Sequence, residues 1–264
     1  MFRNYLGIIR AEFYRGLNYK IDNLLSIVNR IIEVSVLIFI WKAIYENQTT
    51  IQGMDLTTLI LYYALAYSLG HIVQWGIDEN MGFNITTGRV NMELLYPISY
   101  MKYYFCYKIG HVLRQLLVIV LPTLLILILL FQIPLSFEIS RIFLFLIIML
   151  FTIIISFFIE FIFGLIVFYT TSSWGLQILK SALITILSGA LAPLEFFPIW
   201  AQKIMNLLPF QDLVYSPIMT LLGMNSSHEI ITILLRQSVW MILLFVITKL
   251  LFNKAIKKVT IYGG

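Results

Sequence analysis

The sequence predicts an all-α membrane protein with six transmembrane helices. It also predicts an N-terminal interfacial helix, a short cytoplasmic helix between spans two and three, and two short re-entrant outer helices before the last span. Three observations carry this. Apolar residues make up 60% of the 264-residue chain and charged residues only 12%, against about 45–50% and about 25% in soluble domains. Mean hydropathy is +0.92, and the apolar residues fall into segments of spanning length. No soluble core could hide that much apolar surface, so lipid is the solvent for most of the chain.

A helix crossing about 30 Å of hydrocarbon needs roughly 20 apolar residues. Six segments qualify, at about 24–45, 57–77, 109–131, 142–169, 178–195 and 237–253. Gln115 to Phe137 carries no charge, and only Thr152 and Ser156 interrupt Ile142 to Ile159. The fourth segment exceeds one crossing, so it is tilted or emerges from the bilayer. The fifth is short and runs into Pro193. The whole chain, 1–264, reads as one transmembrane domain.

Residues 1–23 hold Arg3, Arg10, Arg15 and Lys20 without the apolar h-region of a signal peptide. Phe2, Leu6, Ile9, Phe13 and Leu17 recur at helical spacing, the pattern of a helix lying in the membrane surface. With the N-terminus inside, fourteen Lys and Arg fall on the cytoplasmic side or the helix ends next to it. Only Lys42, Arg141, Lys203 and Arg236 fall outside. That bias expects both termini to be cytoplasmic. The net charge of +5 is then a topology signal, and no nucleic-acid partner is expected.

Two connections are long enough to act. In the cytoplasmic loop at 78–107, Val90, Leu94 and Leu95 share a helical face, and Pro97 stops the helix. In the outer stretch at 193–229, Phe197, Trp200, Ile204, Leu207 and Leu208 form a stripe between Pro198 and Pro209. A second run from Phe210 is broken by Pro217 and ends at Gly223. Neither run spans a bilayer, so two re-entrant or interfacial helices are expected.

Catalytic patterns are missing. The sequence holds no GxxxxGK[ST], HExxH, CxxC or GxSxG. His71, His111 and His228 are scattered, and Cys106 stands alone. No catalytic, cofactor-binding or metal-binding residue is expected. Ionisable residues within spans are functional candidates, because lipid makes them expensive. Arg30 and Glu33 form either a local ion pair or part of a path. Glu160 has no cation near it in sequence, so it faces either a hydrogen-bond partner on another helix or cargo. Arg114 and Lys249 are expected to snorkel.

Two segments carry a resemblance, GRVNMELLYPIS at 88–99 and SGALAPLEFFPIWAQKIMNLLPF at 188–210. With Gly189, Pro193, Pro198, Trp200, the Leu208-Pro209-Phe210 triplet, Pro217 and Gly223, the chain resembles the permease subunit of a type 2 ATP-binding-cassette (ABC) exporter. The resemblance implies a dimer of identical or homologous permeases and a separate cytoplasmic ATPase that holds ATP and Mg. It assigns coupling to that ATPase to Gly88, Arg89, Val90, Asn91, Glu93, Leu94, Leu95 and Pro97. It assigns the outer gate to Pro193, Glu195, Phe197, Pro198, Trp200, Pro209, Phe210, Pro217 and Gly223. The ending Tyr262-Gly263-Gly264 resembles a branch that often pairs two different permeases. A secondary transporter or channel without an ATPase is the alternative, and an integral-membrane lipid-modifying enzyme a more distant one. Abundant Ile, Asn, Lys and Phe fit a bacterial cell membrane protein.

Overall fold

The computed structural model describes residues 2–74, 76–134, 137–170 and 172–258. The Tyr262-Gly263-Gly264 ending lies outside them. The helices in chain order are α1 (Phe2–Leu17), α2 (Lys20–Ile44), α3 (Leu56–Gln74), α4 (Ile77–Thr86), α5 (Val90–Leu94) and α6 (Tyr100–Gln115). They continue with α7 (Leu121–Phe131), α8 (Ile139–Thr170), α9 (Trp174–Leu187), α10 (Ile199–Leu207), α11 (Tyr215–Leu221) and α12 (Ser227–Ala255). Between α2 and α3 a small hairpin pairs Thr50–Ile51 with Met54–Asp55. Its turn places Gln52 and Gly53 at φ 49° and 79°, the geometry that a two-residue hairpin requires.

Among the described residues, five stretches are long and apolar enough to cross a membrane: Lys20–Asn47, Leu56–Thr86, Tyr100–Phe131, Ile139–Thr170 and Ser227–Ala255. The expected segment at 178–195 instead forms α9, whose 14 residues reach only about 21 Å at 1.5 Å per residue. The chain leaves the helix at Ser188, and Gly189 adopts φ 84°. α8 has 32 residues, about 48 Å, and outruns the hydrocarbon as its sequence implies.

Two boundaries differ from the periodic pattern for local reasons. The third span is one π turn away from being continuous, at Leu116–Val120. Pro122 follows two residues later. Its ring has no N–H to give to the carbonyl four residues back and clashes with it, so the backbone widens there. The last helix starts at Ser227, well before 237. Ser226 and Glu229 form a reciprocal capping box, and that S-x-x-E signal adds more than two turns ahead of the apolar run.

α3 is the hub. Of its apolar window 67% is buried, against 11% for α2, which leaves α2 to lipid or to another chain. Tyr62 and Tyr63 of α3 donate to the carbonyls of Gly189 (2.7 Å) and Leu191 (3.3 Å). The Tyr215 amide donates to the Ser188 carbonyl at 3.0 Å. These bonds satisfy backbone groups freed where α9 stops, which irregular backbone needs in a bilayer.

A Cβ on Gly189 would lie 2.9 Å from Tyr215 Cβ, 2.9 Å from the Tyr62 hydroxyl and 3.0 Å from Leu194 Cδ1. Its positive φ adds strain for any other residue. Gly189→Ala is therefore expected to cost about 2 kcal/mol, read as a lower thermal midpoint in detergent. Gly175→Ala, in α9 with nothing within 4 Å, is expected to be neutral or stabilising.

Candidate functional site

α5 is short, and its two sides differ. Val90 and Glu93 are buried, while Asn91 and Leu94 are half-buried. Arg89, Met92, Leu95, Tyr96 and Pro97 are exposed, Leu95 at 78%. The expected common face of Val90, Leu94 and Leu95 is thus divided, because Leu95 is the residue after the helix and turns outward. Gly88 has φ 74° and turns the chain from α4 into α5. The Arg89 guanidinium lies 5.2 Å from the centre of the Phe83 ring.

Glu93 anchors α5 from below. Its carboxylate accepts hydrogen bonds from Asn84 Nδ2 (2.8 Å) and the Tyr104 hydroxyl (2.9 and 3.0 Å). Burial nevertheless raises its pKa above the ordinary carboxylate value, against the pull of those donors. A raised acid pKa means the folded state binds more protons, so this group's contribution is fullest below the unfolded pKa and is lost as pH rises through the folded one. Glu93→Gln keeps an acceptor without the charge. It is expected to be slightly more stable than wild type at pH 7, with the gap closing as pH falls below the carboxylate range in thermal melts.

Beneath α4 lies a charge cluster that sequence reading did not assemble. Lys108 of α6 and Glu160 of α8 are both fully buried and 2.5 Å apart. Lys108 also donates to the Ile72 carbonyl at 2.8 Å, and Glu160 Oε2 accepts from the Ile77 amide at 3.0 Å. Asp78 of α4 lies 2.6 Å from Lys180 of α9, both nearly inaccessible. That contact is an ion pair without hydrogen-bond angles, and neither Asp78 oxygen has a hydrogen-bond partner. Two cations and two anions sum to zero, which is what a low-dielectric interior demands. A Cβ on Gly76 would collide with Glu160 Oε2, so glycine lets the carboxylate reach the first turn of α4.

Glu160 therefore meets lysine, a partner that sequence reading had not named for it. Lys108 and Lys180 had been counted with the cytoplasmic charges. Removing both from the fourteen leaves twelve against four. The signal that could have found them is charge balance: a buried Glu160 needs a cation, and Lys108 sits eight residues into a helix that continues into an apolar span. Arg30 and Glu33 pair at 2.8 Å on α2. They line a cleft of about 330 Å³ with Tyr67, Gln74 and Thr185. The Arg114 guanidinium donates to Asn23 Oδ1 at 2.8 Å.

On the other side of the break in α9, α10 and α11 form two short helices. α10 buries Ala201 and Met205 and turns Ile199, Trp200, Ile204 and Leu207 outward. The apolar stripe thus faces away from the body. Small Ala201 permits close approach, and lipid exacts no penalty from the bulky residues left outside. Pro193 and Pro209 are buried, Phe197 and Phe210 half-buried, and Pro198 and Gly223 exposed. Pro217 does not break its run. It is the third residue of α11, where helical amides have no intrahelical acceptor and proline is tolerated. The break falls at Val214, with φ −131° and ψ −58°.

Glu195 accepts a hydrogen bond from the Tyr215 hydroxyl. A second ionic group, also missed, ties this region down. Buried Asp212 accepts both from Arg236 Nε at 2.8 Å and from Ser216 Oγ at 2.7 Å, and it pairs with Arg236 Nη2. The Asp212 carbonyl accepts from Thr152 Oγ1 at 2.7 Å. Thr152 and Glu160 are eight residues, or about 12 Å, apart on α8, so one helix holds a member of the first ionic group and touches the second.

Among the described residues, a helical bundle with five helices long and apolar enough to cross a membrane defines an all-α, multi-pass membrane protein. The model of the ABC-2 family transporter protein matches residues 31–263. The chain belongs to that family, whose members are membrane subunits for transport and normally work with an ATPase subunit. No curated protein matches it.

Proposed function

We propose that this chain is the permease subunit of an ABC exporter in a bacterial cell membrane, with both termini cytoplasmic. Two permeases, identical or homologous, build the path, and ATP and Mg are held by a separate cytoplasmic ATPase. The observation that carries the reading is α5. A five-residue helix anchored by Val90 and Glu93 offers Met92, Leu95 and Tyr96 as an exposed apolar knob. Exposed apolar clusters of this kind mark partner contacts. Residues 88–97 dock on the ATPase and pass its closing motion into α4. Nucleotide then biases a two-state change of the bundle. The six-span count takes α9 and the chain that continues from it as one broken crossing, with α10 and α11 as the re-entrant pair within 193–229 that caps the path. Arg30 and Glu33 line the path, and the exposed side of α2 is a surface for the second permease.

The test is purification of the tagged chain from its own membrane in mild detergent. The expected product contains a stoichiometric subunit with ATPase activity. Leu95→Asp is expected to reduce its recovery at least tenfold, a loss of about 1.4 kcal/mol, without changing the chain's own melting. Leu94→Pro is expected to abolish ATP-dependent transport. Full transport with no ATPase present would overturn the reading. The secondary-transporter alternative draws support from the buried Lys108, Glu160, Asp78 and Lys180 group, since intramembrane charges serve ion coupling elsewhere. Transport driven by a pH gradient in ATP-free vesicles would favour it.

A further inference from the structure

A cleft of about 670 Å³ lies between α1, the start of α2, α4, α6 and the start of α9. That volume is in the range of small-molecule sites. Arg114 lines it, and among the described cations that are buried or half-buried it is the exception. Lys108, Lys180, Arg236 and Arg30 each pair with a carboxylate. The Arg114 guanidinium has one hydrogen bond, to the neutral amide of Asn23, and among the described residues no carboxylate within ion-pair distance. Asn23 Nδ2 is held by the Gly16 carbonyl at 3.0 Å, which keeps its oxygen on the arginine. Arg114 Nε is buried and unpartnered, and so is Nδ1 of His71 in the same cleft.

A half-buried guanidinium without a counter-ion is costly, and its planar fork suits phosphate oxygens. The carboxylates of the cleft do not pair with it directly. Glu12 is taken up by Arg15 at 2.9 Å, while Asp22 and Glu79 stand exposed and are screened by water. Exposed Tyr19 and Trp174 also line the cleft, and such aromatics sit at headgroup depth in membrane proteins.

We propose that this cleft binds a phosphate-bearing anion, a lipid phosphate headgroup or free phosphate, with Arg114 as its counter-ion. The site needs no assumption about transport or about an ATPase. The test uses the full chain in dodecyl maltoside, a detergent without phosphate. Three probes are titrated calorimetrically: dihexanoyl phosphatidic acid, inorganic phosphate and dihexanoylglycerol. Phosphatidic acid is expected to bind, and Arg114→Gln to weaken it at least tenfold. Because Arg114→Gln also removes the bond to Asn23, Ser26→Trp serves as a second variant. It fills the cleft, leaves the guanidinium in place and is expected to weaken binding as much. Arg114→Lys is expected to retain part of the affinity. Preference for phosphatidic acid over inorganic phosphate identifies a lipid headgroup as the source, and equal binding identifies free phosphate. The proposal is overturned if neither phosphate probe binds. It is equally overturned if dihexanoylglycerol binds as well as phosphatidic acid, or if both blocking variants bind like wild type.

Discussion

Lys108→Met is expected to lower the stability of the chain by about 3–5 kcal/mol, the cost of stranding a buried charge. Glu160 has no solvent to turn to, since it and Lys108 are both inaccessible. Its remaining partner is the Ile77 amide, a single dipole in place of a full positive charge. The damage concentrates at the joint between α3 and α4, because Glu160 holds the first turn of α4 and Lys108 holds the Ile72 carbonyl at the end of α3. The double variant Lys108→Met with Glu160→Met removes both charges. It is expected to recover most of the loss, as apolar replacements of buried pairs often do. Thermal unfolding in detergent of the two single variants and the double variant gives the coupling between them. A double variant as unstable as the sum of the singles would show that the pair does not act as a unit.

Asp212→Ala is expected to be nearly as damaging, at about 3 kcal/mol or more. It leaves Arg236 facing Ser216 and the amide of Gln211, with no anion among the described residues to balance it. Asp212→Asn is milder, since the amide still accepts from Ser216. The two substitutions at this end and the two at Lys108 and Glu160 differ in place as well as size. Loss of Asp212 is expected to loosen the segment from Pro209 to Leu221, read as faster amide exchange there, while α4 and α5 stay protected. Uniform loosening of both regions would contradict the separation of about 12 Å along α8.

The readable part of this fold was the part that hydropathy controls. Lys20–Asn47, Leu56–Thr86, Tyr100–Phe131 and Ile139–Thr170 follow from runs of apolar residues, and α5 followed from a short amphipathic stretch closed by Pro97. Where a single backbone feature overrode the run, the boundaries moved. Pro122 widened the third span into a π turn, and the Ser226–Glu229 box brought the last helix forward. Pro217 misled because proline breaks a helix interior but fits a first turn, and the helix start at Tyr215 is set by packing that the sequence does not display. The stripe of α10 marks a helix without fixing which way it faces. In water the bulky stripe of Trp200, Ile204 and Leu207 would turn inward, but in lipid the small side packs and the large one is free to face out.

The candidate site divides along the same line. Sequence by itself determined that the chain lives in a membrane, that it carries no catalytic motif of its own, and that residues 1–23, 78–107 and 193–229 are where it departs from plain spans. It could also single out Glu160 as a charge needing an explanation. Only the tertiary structure decided which cation meets it, that Asp78 and Lys180 complete the neutral group, that Asp212 and Arg236 form a second one, and that Arg114 is left without an anion. Hydrophobicity is local and additive along the chain, so it can be summed from residues in order. Charge pairing in a low-dielectric interior joins residues 52, 102 and 24 positions apart, and only packing brings those together.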